Sequence, residues 1–81
     1  MKAPDKGKTR VYDISDTKFA AVKLEESGQF WVTIVNRENA SSTAESPFTD
    51  NSNVIFLNTI EELREHLFDN AEGDYKDQFK E

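Results

Sequence analysis

Apolar residues fall into four short runs along the chain, and each run predicts a β-strand. Residues 19–24 and 30–35 are rich in aromatic and β-branched side chains, which favour strands. Residues 54–57 form a compact apolar run typical of a buried strand, and residues 10–14 indicate a shorter one. A helix over residues 16–26 is the weaker alternative, because its apolar side chains would not gather on one face.

Residues 25–29 predict a hairpin, since Gly28 can supply the positive φ of a tight turn. A two-residue loop pairs Leu24 with Trp31, and a four-residue loop pairs Leu24 with Gln29. Both registers divide the side chains between the two faces in the same way. One face then carries Val22, Leu24, Trp31 and Val35 with Ala20 and Thr33, and the other carries Phe19, Ala21, Phe30, Val32 and Ile34 with Lys23. Neither face is polar, so we expect both to need a cover.

The C-terminal part of the chain predicts one amphipathic helix. Thr59 and Glu62 fit a capping box, in which each side chain bonds the other's backbone amide. The helix should run from residue 60 to about residue 70 or 71, with a stripe of Ile60, Leu63, Leu67 and Ala71. We therefore expect a small α+β fold, with an antiparallel sheet of three to four strands and one main C-terminal helix on one face.

The remaining segments complete a single small domain over residues 10–81. Residues 1–9 contain the bases Lys2, Lys6 and Lys8 together with Pro4 and Gly7, and we expect a flexible basic arm. Residues 36–53 form a long polar loop, in which Phe48 should fold back onto the core. Residues 74–81 form an acidic tail whose Tyr75 and Phe79 either dock or fray.

Composition narrows the classes of function. The chain of 81 residues has 16 acidic and 10 basic side chains and no cysteine, which excludes disulfides and thiolate chemistry. No apolar run is long enough for a membrane span, and no signal-type segment follows the N-terminus, so we expect a soluble, cytoplasmic protein without a membrane partner. The net charge of −6 makes direct binding to nucleic acid unfavourable. A weaker alternative is that the basic arm alone contacts nucleic acid.

Catalytic and metal-binding chemistry finds little support in the sequence. His66, with Glu62 and Asp69 on the same helix, is a poor zinc site, because zinc usually takes four well-placed ligands. The three glycines stand far apart, and no serine lies in a nucleophile elbow. We expect no enzyme, no catalytic residue, no metal site and no cofactor.

Four acidic side chains of the predicted helix project to one side, nearly opposite the apolar stripe: Glu61, Glu65, Asp69 and Glu72. Successive carboxylates rise about 6 Å along the helix axis, a step comparable to that between neighbouring phosphates. Such a row could imitate nucleic acid toward a basic protein groove. The alternative is the ordinary solvated side of an amphipathic helix.

These observations favour a non-enzymatic protein-binding module. The sharpest form of the hypothesis is a small acidic inhibitor or regulator of a nucleic-acid-handling protein with a basic surface, encoded by a phage or mobile element. The acidic helix side would steer association, and the face with Trp31 would anchor it. The alternative is a homodimeric structural or accessory protein whose Trp31 face pairs with itself.

Overall fold

The computed structural model describes residues 2–37 and 54–80 of the chain. It is a small α+β fold with a four-stranded sheet, a main helix and a C-terminal 3-10 helix. The strands are β1 Thr9–Asp13, β2 Lys18–Leu24, β3 Phe30–Asn36 and β4 Ile55–Leu57; α1 is Ile60–Asn70, and the 3-10 helix is Gly73–Phe79. The predicted fold class is confirmed. The long loop predicted over residues 36–53, with Phe48, lies outside the described residues from residue 38 onward.

The sheet is an antiparallel meander in the order β1-β2-β3-β4. Each strand pairs with the next one along the chain, so β1 and β4 are the edges. A turn joins β1 to β2, where Ser15 Oγ accepts hydrogen bonds from the amides of Thr17 and Lys18 at 3.2 and 2.9 Å. A side-chain oxygen in this role stabilises the turn.

The hairpin between β2 and β3 has a register that the sequence analysis did not consider. Glu25 pairs with Gln29 through an N–H···O bond of 2.9 Å, and the Gly28 amide donates to the Glu25 carbonyl. The loop is thus three residues long, with Gly28 at φ +95°, the usual place for glycine in such a loop. Leu24 then lies opposite Phe30 and Val22 opposite Val32. An odd loop exchanges the faces of one strand, so the predicted division of side chains was wrong.

One face of the sheet, here called the inner face, is packed against α1 and the 3-10 helix. It presents Tyr12 from β1, even-numbered residues of β2 and β3, and odd-numbered residues of β4. The core consists of Tyr12, Ile14, Ala20, Val22, Phe30, Val32, Leu63, Leu67, Ala71 and Phe79. Apart from Arg10, Lys18 and Asn36, which are exposed, the inner face is apolar, and the C-terminal elements cover it.

Helix α1 begins as the sequence predicted. The Glu62 amide donates to Thr59 Oγ1, and the Thr59 amide donates to Glu62 Oε1, both at 3.1 Å. This capping box satisfies backbone donors that the first turn leaves unpaired. Leu63 and Leu67 are fully buried, whereas Ile60, placed on the apolar stripe, is 38% exposed. No helix among the described residues is long and apolar enough to cross a membrane.

The two ends of the described chain also contact the sheet. Phe79 is fully buried and packs edge-on against Tyr12, with ring centroids 5.9 Å apart. The Glu72 amide donates to the Ile14 carbonyl at 2.8 Å, which ties the segment after α1 to the end of β1. At the other end, in the segment expected to be a flexible arm, Pro4 is buried. The Tyr12 hydroxyl donates a hydrogen bond to the Lys2 carbonyl.

Candidate functional site: the outer sheet face and the acidic side of α1

The predicted apolar site is divided between the two faces of the sheet. Val22 is fully buried on the inner face, and Leu24 packs against the same core. Trp31 and Val35 lie on the opposite face, because they pair with Lys23 and Phe19, which alternate with the inner positions of β2. The prediction that all four share one surface was therefore wrong, and only Trp31 and Val35 belong to the outer face.

The outer face mixes apolar, polar and charged side chains. Its central strands present the alternating set Phe19, Ala21, Lys23, Trp31, Thr33 and Val35. The edge strands add Val11 and Phe56, which pair with Ala21 and Trp31 respectively. Val11 is 54% exposed and Phe56 is 55% exposed, while Ala21 and Thr33 at the centre are buried. The exposed apolar groups of this face thus lie at its two edges.

Trp31 is the centre of a small aromatic and cationic cluster. Its ring meets Phe56 in a T-shaped contact, with centroids 5.6 Å apart and planes at 83°. The Lys23 ammonium lies 5.7 Å from the Trp31 ring centroid and forms an ion pair with Glu25 at 3.2 Å. The Trp31 indole also donates to Gln29 Oε1 at 3.2 Å. Each of these contacts restrains the Trp31 ring.

A similar arrangement lies at the other end of the outer face. The Arg37 guanidinium stands 6.0 Å from the Phe19 ring centroid and pairs with Asp13 of β1. Cations above aromatic rings are favourable at such distances, although exposed examples contribute only about 0.5–1 kcal/mol. The outer face therefore has an amphipathic surface, with cations over its rings.

The acidic side of α1 is defined by Glu61, Glu65 and Asp69, here called the acidic row. All three side chains are exposed, and none of the ion pairs formed within residues 2–37 and 54–80 involves them. They lie at intervals of four residues, on the side away from the buried Leu63 and Leu67. The predicted fourth member, Glu72, lies beyond the end of the helix at Asn70, so it does not continue the row.

His66 lies next to the acidic row on α1. Burial lowers the pKa of its imidazole below the usual 6.5, and the nearby Asp69 carboxylate opposes this shift. Asn70 donates its side-chain amide to the His66 carbonyl at 2.8 Å. Within the part of the chain that the structure describes, no group of three or more His, Asp or Glu residues could hold a metal ion.

The sequence analysis missed the exposed groups at the sheet edges. Phe56 was assigned to a compact apolar strand, and nothing in a run of four apolar residues distinguishes the buried from the exposed positions. Strand alternation could have identified it, since Ile55 and Leu57 pack against the core and Phe56 must point away. Val11 is identified by the same alternation, once Tyr12 is placed inside.

In comparisons with known proteins, the chain matches no family model, no curated protein and no solved structure.

Proposed function

We propose that this protein is a non-enzymatic protein-binding module, a small acidic inhibitor or regulator of a larger nucleic-acid-handling protein. Its partner would carry a basic groove or patch that normally receives phosphates. The acidic row would occupy that groove. The proposal includes that a phage or mobile element encodes the protein.

The exposure of the acidic row is the observation that carries this proposal. Glu61, Glu65 and Asp69 form no ion pair within the described residues, so their charges are available to an incoming cationic surface. Their steps of about 6 Å along a rigid helix keep the charges at a fixed spacing. Because the capping box and the buried leucines hold α1, the row is ordered before binding, which lowers the entropic cost of association.

The net charge supports long-range attraction to such a partner. Residues 58–81 contain eight acidic and three basic side chains, so this segment carries −5 of the chain's net charge of −6. Opposite charges on two partners raise the association rate, and added salt weakens this effect. The proposal therefore requires binding that weakens with ionic strength.

Capture with two matched bait variants tests the proposal. One bait carries Glu61→Gln, Glu65→Gln and Asp69→Asn, and the other carries Asp5→Asn, Glu26→Gln and Asp74→Asn. Both lose three negative charges at exposed positions, but only the first changes the acidic row. Wild type and the second bait should retain a nucleic-acid-binding protein that added oligonucleotide displaces, and the first bait should not.

Equal capture by the two variants would contradict the role of the acidic row. A captured protein that oligonucleotide fails to displace would contradict mimicry of nucleic acid.

Self-association through the outer face is the second candidate. The exposed Phe56 and Val11, with Trp31 between β2 and β4, favour it as an isologous contact between two sheets. Phe56→Ser should then lower the dimer fraction in sedimentation equilibrium. An unchanged fraction would argue against pairing through this face.

A further inference from the structure

The C-terminal 3-10 helix is held differently from the other elements of the fold. It extends over seven residues, Gly73–Phe79, whereas 3-10 helices seldom exceed about four because their hydrogen-bond geometry is poor. Phe79 is its one buried side chain, and the side chains of Asp74, Asp77 and Gln78 are exposed. The position of this helix therefore depends on its contacts with neighbouring elements.

On the side of α1, those contacts join side chains to backbone carbonyls. Lys76 donates to the Phe68 carbonyl at 2.7 Å, and its ammonium lies 4.4 Å from the Phe68 ring centroid. Arg64 of α1 donates in return to the Phe79 carbonyl at 3.2 Å. The last turn of α1 has no basic side chain, so Lys76 supplies the positive charge that stabilises a helix C-terminus.

On the side of the sheet, the contacts are one buried ring and two exposed hydrogen bonds. The Phe79 ring packs edge-on against the ring of Tyr12. The Tyr75 hydroxyl donates to Asp16 at 2.8 Å, and the Gln78 side chain donates to the last carbonyl of β1. Water competes for hydrogen bonds at exposed positions, so their net contribution to stability is small.

A fixed hinge connects this helix to α1. Ala71 and Glu72 have extended backbones, with ψ of 153° and 143°. Ala71 is buried, and the Glu72 amide donates to the Ile14 carbonyl, so the hinge stays on the sheet. Gly73 follows at φ +55°, a left-handed conformation that glycine adopts without strain. The chain can therefore change direction at Gly73 while α1 keeps its place.

We propose that residues 73–80, here called the strap, detach as one unit while the four-stranded sheet and α1 remain folded. Ordering these residues costs conformational entropy at each position, and one buried ring with exposed hydrogen bonds offsets that cost only narrowly. The strap therefore opens far more often than the whole domain unfolds. Opening uncovers the Tyr12 ring and frees the Phe68 carbonyl, so the strap is a removable cover at one end of the core.

Native-state hydrogen exchange followed by NMR tests this detachment in the unmodified protein. The Tyr75 amide bonds the Glu72 carbonyl at 3.1 Å, whereas the Leu67 amide lies in the interior of α1. After correction for intrinsic rates, the Tyr75 amide should exchange at least about a hundredfold faster than the Leu67 amide. Equal protection of the two amides would overturn the proposal, because the strap and α1 would then open together.

Two substitutions of the buried strap residue supply the second measurement. Burying a carboxylate costs far more than leaving a cavity, so Phe79→Asp should be much less stable than Phe79→Ala if the strap belongs to the core. If the strap detaches, neither new side chain is buried, and the two variants should have the same urea midpoint by Trp31 fluorescence. Far-ultraviolet circular dichroism checks that both variants keep the sheet and α1.

Leu67→Ala and Leu67→Asp are the matched control pair. Leu67 is as fully buried as Phe79 but lies on α1, which stays in place when the strap opens. The midpoint of Leu67→Asp should therefore lie far below that of Leu67→Ala, or Leu67→Asp should fail to fold.

A Phe79→Asp variant that is unfolded, or that is much less stable than Phe79→Ala, would overturn the proposal. None of these outcomes bears on the acidic row, which lies on α1 and not on the strap.

Discussion

Adjacent side chains of this sheet have opposite environments. Val32 is almost fully buried against the core, while its neighbour Trp31 lies on the outer face beside the exposed Phe56. The stability of the fold therefore depends chiefly on the inner residues, whereas Val11 and Phe56 of the outer face are more than half exposed. Substitutions at the two kinds of position should differ sharply in cost.

We predict that Leu67→Ala destabilises the protein by about 2–5 kcal/mol, because it leaves a cavity where a fully buried side chain was. Phe56→Ala should cost about 1 kcal/mol, chiefly from its lost edge-on contact with Trp31. Urea unfolding monitored by Trp31 fluorescence measures both. Equal losses for the two variants would contradict the assignment of faces.

His66 should make stability depend on pH just below neutrality. Burial lowers the pKa of His66 in the folded protein, so the unfolded chain binds a proton first as pH falls. Stability is full above the unfolded value of about 6.5 and should decline as pH falls below it. The His66→Gln variant should lack this decline. The same slope in both proteins between about pH 7 and pH 5.5 would contradict it.

Each element has a local cause, and α1 has the clearest one. The capping box at Thr59 supplies bonds to the first turn, and two buried leucines dock the helix onto the inner face. Since α1 also carries the acidic row, its stability and its charges belong to one structural unit.

Thr59→Ala should destabilise the protein by about 1 kcal/mol, because the Glu62 amide loses its acceptor. Thr59→Ser keeps the hydroxyl and should cost less. Urea midpoints of the three proteins provide the comparison. A Thr59→Ser variant as unstable as Thr59→Ala would show that the methyl group, and not the hydroxyl, matters at this position.

Local signals explain why the strands and α1 were predictable from the sequence. Residues 30–35 are β-branched or aromatic throughout, and the pair Thr59 and Glu62 identifies a helix start without reference to the rest of the chain. Gly28 also located the hairpin. The loop length was not predictable from one glycine, however, and that single residue of difference reversed the faces.

At the scale of the whole molecule, the fold separates a covered apolar face from an amphipathic one. The sequence analysis expected two apolar faces and one helix. The observed register instead places Val22 and Leu24 with Phe30 and Val32 on the inner face, and it leaves Lys23 and Thr33 among the apolar side chains of the outer face. The sequence left open whether Phe79 docks or frays, because a contact between residues so far apart in the chain has no local signal. In the structure, Phe79 packs against Tyr12. The acidic row, in contrast, followed from helical periodicity, apart from Glu72.

Salt dependence of partner binding tests the central proposal most directly. The affinity of the captured partner is measured from low to high ionic strength for wild type and for the triple variant Glu61→Gln, Glu65→Gln, Asp69→Asn. We predict that wild-type affinity falls steeply with salt and that the triple variant binds more weakly with a shallower slope. Wild-type affinity that stays flat over this range, or equal slopes for the two proteins, would contradict the proposal that the acidic row of α1 is the binding surface.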